Sequence, residues 1–322
     1  MRITTIGEIL IDFVSTQNGT TVSTSKSFDK KPGGAPANVS VGLARLGIPT
    51  GFIGAVGNDE FGIFLKDTLK KENVDISFMQ TLNSFNTTLA FVSLDKNGER
   101  SFCFYRNPGA DTQLSKNHID EDYIKSSRIL HFGSLSLTHQ PARDATYKAI
   151  KIAKKNNIIV SFDPNIRLSL WKNKEDAYNE IIKAIPLCNI LKLSEEESYF
   201  LSKKNDLKQS AKYLSQLGPI LVFITLGEKG SFAYFKGQTL LCDGYNIKAI
   251  DTTGCGDAFT AGVLFKIYNQ YNDITSFAKT NDLNLKEILS FANACGAICA
   301  LKKGAIPSMP SLKKVKMLLK IS

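Results

Sequence analysis

Asp251-Thr252-Thr253-Gly254-Cys255-Gly256-Asp257-Ala258-Phe259 is the stretch around which the rest of the chain is organised. Residues 242–250 before it read as a short extended segment, and after it Phe259, Val263, Leu264 and Ile267 recur at helical spacing. The glycines therefore stand at a helix entrance. Gly254 and Gly256 let the backbone turn tightly and approach a ligand, and the first amides of a helix starting near Asp257 have no partner within it. Such amides attract anions, and a phosphoryl group spreads negative charge over its oxygens as it is transferred. Asp257 places a carboxylate where an anion should bind, which is useful if it accepts the proton of an attacking hydroxyl. The other reading is an ordinary capping Asp after a Gly-rich turn.

Working outward, a helix is expected over 285–300, with Gly296 permitting close contact, followed by Lys302-Lys303-Gly304-Ala305-Ile306-Pro307-Ser308. Upstream, the strand-like run 220–225 ends in Leu226-Gly227-Glu228-Lys229-Gly230, and 231–235 reads as a hairpin-like return. Strand 190–193 leads into Ser194-Glu195-Glu196-Glu197, whose carboxylates either complement a helix dipole or hold magnesium through water. Strand 158–162 leads into Asp163-Pro164-Asn165-Ile166-Arg167, polar residues at a strand's C-terminal end, where open α/β sheets bind ligands. With strand 129–133 and helices over 142–156 and 174–185, this alternation argues a three-layer α/β fold: a doubly wound, mostly parallel sheet covered on both faces.

One segment breaks the alternation. Residues 87–94 and 100–105 flank Asp95-Lys96-Asn97-Gly98, a strong hairpin signal. The expectation is a small β-sheet standing off the core as a lid, built from about 10–31 and 84–107 within a single kinase-sized domain spanning 1–322, with Arg106 and Asn107 beside whatever it covers. Nearer the N-terminus, strands are expected over 2–6 and 9–14, where Asp12 interrupts an apolar run; it is either a holder of hydroxyls or a turn residue. Gly33-Gly34 then opens a helix containing Ala37, Val41 and Ala44 and ending at Gly47. Asn38 in its first turn can face a ligand over the glycines. No G-K-[ST] follows, so this is not a Walker-type phosphate loop, and a neutral polar ligand such as a sugar fits better.

Composition is compatible. The 322 residues are 43% hydrophobic, with no run of about eighteen apolar residues and no apolar leader after Met1, so a soluble cytoplasmic protein is expected. Six cysteines are scattered without paired spacing and read as thiols of a reducing compartment. The net charge of +10 is carried by dispersed lysines, apart from Lys313, Lys314 and Lys316 in a helix-like tail. Without an aromatic-and-basic stripe, neither nucleic acid nor a membrane is an expected partner.

Taken together, these segments resemble the ribokinase-like, or PfkB, family of sugar kinases, and within it the fructokinases most closely. The resemblance runs over nearly the whole chain and rests on both glycine signatures, on Phe104-Tyr105-Arg106-Asn107-Pro108-Gly109-Ala110-Asp111, on Asp163 to Leu168 with Trp171, and on Ala292-Asn293-Ala294-Cys295-Gly296-Ala297. It implies an ATP-dependent kinase for D-fructose; the alternatives are a kinase for another sugar or sugar acid, such as ribose or 2-keto-3-deoxygluconate, and, from a different class, a non-catalytic regulatory relative. It implies that Asp257 is the base, that the amides of Gly254, Cys255 and Gly256 form an anion hole, and that Arg167 approaches the transferred phosphate. Asp12, Gly33, Gly34, Asn38, Arg106 and Asn165 would hold the sugar. Thr225, Gly227, Gly230, Asn293 and Lys192 would lie along ATP, Asn293 near the adenine. Glu197 would serve magnesium, and Asp251, Thr253 and the Ser308 region a monovalent cation, potassium. Two positions depart from the family pattern: Cys255 stands where Ala is frequent, and Ser194 replaces the Asn of an Asn-x-x-Glu motif. The exposed lid, with unpaired edges and one apolar face, points to a homodimer.

Overall fold

The computed structural model describes residues 1–94 and 100–321; the turn expected at Asp95 to Gly98 lies outside the described residues. Its strands are β1 Arg2–Ile6, β2 Leu10–Asn18, β3 Phe28–Gly33, β4 Thr50–Gly57, β5 Val74–Asp75, β6 Met79–Leu82, β7 Leu89–Leu94, β8 Arg100–Tyr105, β9 Ser127–Gly133, β10 Ile159–Asp163, β11 Ile190–Ser194, β12 Leu221–Thr225, β13 Ser231–Phe235 and β14 Gln238–Cys242. A ten-stranded sheet runs in the order β14-β13-β12-β11-β10-β9-β1-β4-β5, with β6 pairing farther along β4. From β12 to β5 all neighbours are parallel, while β13 and β14 form an antiparallel hairpin at one edge.

The parallel strands are buried along nearly their whole length because both of their faces are covered, and polar residues such as Thr4, Thr5, His131 and Ser161 are buried with the apolar ones. Successive residues supply opposite layers: Ile159, Leu221 and Phe223 pack with one set of helices, and Val160, Phe162, Val222 and Ile224 with the other. Phe132 and Phe162 stack at 4.3 Å between ring centroids in the second layer. Helices Ala35–Arg45, Cys255–Gln270 and Leu285–Cys299 belong to the first layer.

Strand order decides where a ligand can sit. From β1 the chain moves one way to β4 and β5, then returns to lay β9 on the other side of β1 and proceeds outward through β10, β11 and β12. This reversal opens a crevice at the C-terminal ends of β1 and β9, the place where doubly wound sheets bind ligands.

The second sheet has four strands in the order β3-β2-β7-β8, with β2 and β7 parallel. It stands apart from the large sheet, at the position of the expected lid. β3 was not expected: its Asp29, Lys30 and Lys31 give an exposed, charged edge strand with no apolar alternation. The extended segment expected over 242–250 is corrected, because β14 ends at Cys242 and the following residues join no ladder. Polar Asp243, Asn246 and Lys248 deny that stretch a buried face, and it instead reaches the helix entrance with the Ile250 and Asp251 amides donating to the Ala300 carbonyl at 2.8 and 3.2 Å. No helix among the described residues is long and apolar enough to cross a membrane.

Candidate active site

Asp257 is the third residue of helix Cys255–Gln270, and Gly254 before that helix has φ +81°, a left-handed conformation suited to glycine. A Cβ on Gly254 would lie 2.8 Å from the Cβ of Ala305, so the tight turn and the close approach both exclude a side chain. Ala258 is the first amide to close a helical turn, on the Gly254 carbonyl at 2.8 Å, so the Gly256 and Asp257 amides precede any helical partner. The Cys255 amide differs from expectation: it donates to the Thr252 carbonyl at 3.3 Å, tightening the turn rather than facing outward.

The Asp257 carboxylate is buried and held from two sides. Asn38 Nδ2 donates to Oδ2 at 2.8 Å, and Asn165 Nδ2 approaches Oδ1 at 3.5 Å. Asn38 reaches it because Gly42, one turn on, lets helix Ala35–Arg45 close on Ala261, where a Cβ would stand 2.8 Å away. Asn165 takes φ +45°, the left-handed region that Asn tolerates. Burial first, then the Asp163 carboxylate, push the Asp257 carboxyl up from 3.8 to about 6, against the Asn38 hydrogen bond and the charges of Lys192 and Arg167. A carboxylate so placed is a proton acceptor poised near neutrality.

Behind it sits a buried lysine. Lys192 Nζ lies 3.0 Å from Asp163 Oδ2, which also accepts from Thr260 at 3.2 Å. Burial opposes its charge, but Asp163, Glu197 and Asp257 outweigh burial and hold Lys192 above its ordinary value. A Cβ on Gly256 would stand 2.9 Å from Lys192 Nζ, so this glycine brings the anion-facing backbone against the ammonium. Arg167 lies over the Phe102 ring of β8 at 5.8 Å, linking the site to the small sheet. Gly33 has a steric reason as well: a Cβ there would fall 2.1 Å from Asp12 Oδ2, so the glycine makes room for that carboxylate on β2. Gly34, at φ +107°, would meet the Glu8 carbonyl at 2.5 Å.

Other expected site residues are held by hydrogen bonds within the fold. Arg106 is buried with its guanidinium fully engaged: Nε donates to Asp111 Oδ2 at 2.7 Å, one amino group to Thr138 Oγ1 at 2.9 Å and the other to the Leu135 carbonyl at 3.0 Å. It fastens the chain where β8 ends. Asn293 takes the Ser231 hydroxyl at 2.7 Å and donates to the Cys242 and Asp243 carbonyls at 3.2 and 3.1 Å, bracing the edge hairpin. Glu197 forms a capping box with Ser194, accepting the Ser194 amide at 2.8 Å and the Ile166 amide at 2.6 Å, so each oxygen holds one backbone amide. Among the described residues no three His, Cys, Asp or Glu side chains converge as a metal cluster.

Thr225 ends β12 and donates to the Leu193 carbonyl at 3.3 Å, with Gly227 and Gly230 at φ +61° and +104° in the next turn. Asp251 Oδ1 accepts the Thr253 amide and hydroxyl at 2.9 and 2.6 Å, and Oδ2 accepts the Gly304 amide at 2.8 Å. Ser308 hydrogen-bonds the Gly304 carbonyl and, at 2.9 Å, that of Ala305. These residues converge directly behind the helix entrance.

Glu8 was not expected. It follows Gly7 at the end of β1, is almost fully buried, accepts the Ala35 amide at 2.9 Å and so caps the helix that carries Asn38. Burial, with Asp111 adding to it, raises its carboxyl to about 7. The available signal was an acid opening the apolar run Ile9-Leu10-Ile11. Among the described residues, Glu8 Oε2, Asn38 Oδ1 and Asp163 Oδ1 are buried without a hydrogen-bond partner.

A buried carboxylate beside amides without helical partners at a helix start, with a buried ammonium behind, is an arrangement that can move a phosphoryl group onto an alcohol. The chain belongs to the pfkB family of carbohydrate kinases, whose sequence pattern it matches over residues 1–312. It is 41% identical over 319 residues to a probable fructokinase-4 of Arabidopsis thaliana, covering 99% of this chain and 96% of the relative. Its fold superposes with TM-score 0.91 and 32% identity on a fructokinase of Xylella fastidiosa with bound ATP, covering 99% and 98% of the two chains. A double mutant of the Vibrio cholerae O395 fructokinase, in a form binding fructose, ADP and a potassium ion, superposes with TM-score 0.86 at 33% identity over 99% and 98%.

Proposed function

We propose that this chain is a fructokinase, transferring the terminal phosphoryl group of ATP to a hydroxyl of D-fructose. The observation that carries the reading is the Asp257 carboxylate, fixed by Asn38 and Asn165 at the first turn of helix Cys255–Gln270. Asp257 takes the hydroxyl proton, the Gly254 and Gly256 amides face the charge that develops on phosphorus, and Lys192 and Arg167 balance it. Asp12, Asn38 and Asn165 orient the sugar between the two sheets. ATP lies along Thr225, Gly227 and Gly230. Glu197, each of whose oxygens already accepts one backbone amide, would serve magnesium through water, and the ion enters with the nucleotide, held by its phosphates. The oxygen-rich junction of Asp251, Thr253, the Gly304 carbonyl and Ser308 fits a monovalent cation that stiffens the helix entrance. A coupled ADP-release assay over fructose, ribose and 2-keto-3-deoxygluconate tests the assignment: fructose is expected to give the highest kcat/KM, and equal or greater activity on another sugar overturns it.

Asp257 must be ionised to act. Its raised carboxyl predicts that turnover at saturating substrates climbs as pH rises through about 6 and levels off above. A kcat profile flat across that range counts against the base.

The four-stranded sheet is read as the lid. Bound sugar is expected to slow hydrogen exchange across β7 and β8, and unchanged exchange at saturation removes that role. The sheet's other face carries Phe13, Phe28, Phe91 and exposed Tyr105 in ring contact, with Phe91 at 5.0 Å from Phe13 and 5.6 Å from Tyr105. A second copy docking there makes a homodimer, which a monomeric mass by light scattering refutes.

A further inference from the structure

Two thiols that this chemistry does not use stand at its centre. Cys255 is the first residue of helix Cys255–Gln270, next to Gly256 and Asp257, and Cys299 closes helix Leu285–Cys299. The helices pack closely because a Cβ on Gly262 would lie 2.9 Å from the Ala292 Cα and one on Gly296 3.4 Å from the Cys255 carbonyl. That packing turns both thiols onto the same turn before the helix, with Cys255 Sγ 4.0 Å from the Asp251 carbonyl, and the two side chains interact there. Cys299 Sγ also lies 3.7 Å from the Thr253 carbonyl and 3.1 Å from the Ser308 hydroxyl. Cys255 is partly exposed, which gives a small oxidant access to the pair, whereas the exposed Cys103 and buried Cys188 lie elsewhere in the fold.

We propose that Cys255 and Cys299 form an oxidative modification site, in which a peroxide joins them as a disulfide and reversibly stops turnover. One thiol is oxidised to a sulfenic acid as the O–O bond breaks, releasing one water. The second sulfur then displaces the hydroxyl from the first, releasing another water, so two thiols lose two hydrogens and one peroxide is reduced. The new bond pulls Cys255 toward the end of the neighbouring helix, and the glycine turn moves with it. Displacing reacting groups by about 1 Å costs on the order of 100-fold in rate.

The loss of turnover rests on the kinase reading, whereas formation of the bond does not. The full chain is treated with hydrogen peroxide and digested without reductant. Expected are a peptide pair linked through Cys255 and Cys299, turnover lowered about 100-fold in the linked fraction, and recovery with dithiothreitol. Cys299→Ala and Cys299→Ser keep the turnover of the untreated chain and resist peroxide, while Cys103→Ser is inactivated like the native chain. Absence of the linked peptide, a linked chain with undiminished turnover, or Cys299 variants inactivated at the native rate overturns the proposal. If the kinase reading alone is wrong, the linked peptide still forms although no sugar is phosphorylated beforehand.

Discussion

Asp257→Asn is expected to lower turnover by about 100-fold to 10,000-fold while ATP and sugar still bind, and to make the protein more stable. The two effects share a cause. The folded carboxyl titrates at about 6 instead of 3.8, so the fold favours the protonated group. Above the unfolded value the carboxylate costs stability, and the cost is complete once pH exceeds the folded value. At 1.36 kcal/mol per pKa unit, the ionised group costs up to about 3 kcal/mol at pH 7. Asn is neutral and keeps an oxygen for Asn38, so urea denaturation at pH 7 should show a gain approaching that figure, shrinking as pH falls below about 6. Near-normal turnover sinks the catalytic role. Unchanged stability sinks the claim that function is obtained here by burying a charge.

Arg106→Met is expected to cost about 3–5 kcal/mol of stability. It removes a cation whose partner, Asp111, is just as buried, leaving a carboxylate that keeps the Thr88 hydroxyl as a hydrogen-bond donor but has lost its counter-charge. Adding Asp111→Leu should return part of the loss, because two uncharged neighbours no longer strand a charge. The resemblance places Arg106 on the sugar. The geometry makes it a fastener first, so the variant should lose thermal stability before any rise in KM can be measured. A variant as stable as the native chain, with only a raised KM for fructose, would show that the sugar and not Asp111 is the partner that matters.

These cases mark what a linear reading can reach. The helix entrance at Gly254 and Asp257 is legible because its chemistry is local: glycines, unpartnered amides and one acid lie within four residues. The buried strands are legible because burial on both faces leaves continuous apolar runs. β3 escapes notice because an edge strand is recognised by what it pairs with, and its own residues are charged. The use of a side chain is harder still. Arg106, Asn293 and Glu197 are polar residues at plausible places, and whether each meets ligand or protein depends on Asp111, Ser231 and Ile166, brought near by folding. Glu8 is the converse, an acid beside Gly7 whose importance shows only once the Ala35 amide is seen to end on it.

The small sheet is moored at both roots of its β7–β8 pair. Thr87, two residues before β7, is gripped through its amide and hydroxyl by Asp59, each at 2.7 Å, and Arg106, one residue after β8, is locked to Asp111. If this sheet closes over sugar as proposed, it swings like a door on two hinges, about a line joining those anchors, and its strands need not unzip. Admission of substrate then depends on the stiffness of that axle, so loosening Asp59 should alter the rates of sugar arrival and departure while the chemistry at Asp257 proceeds as before.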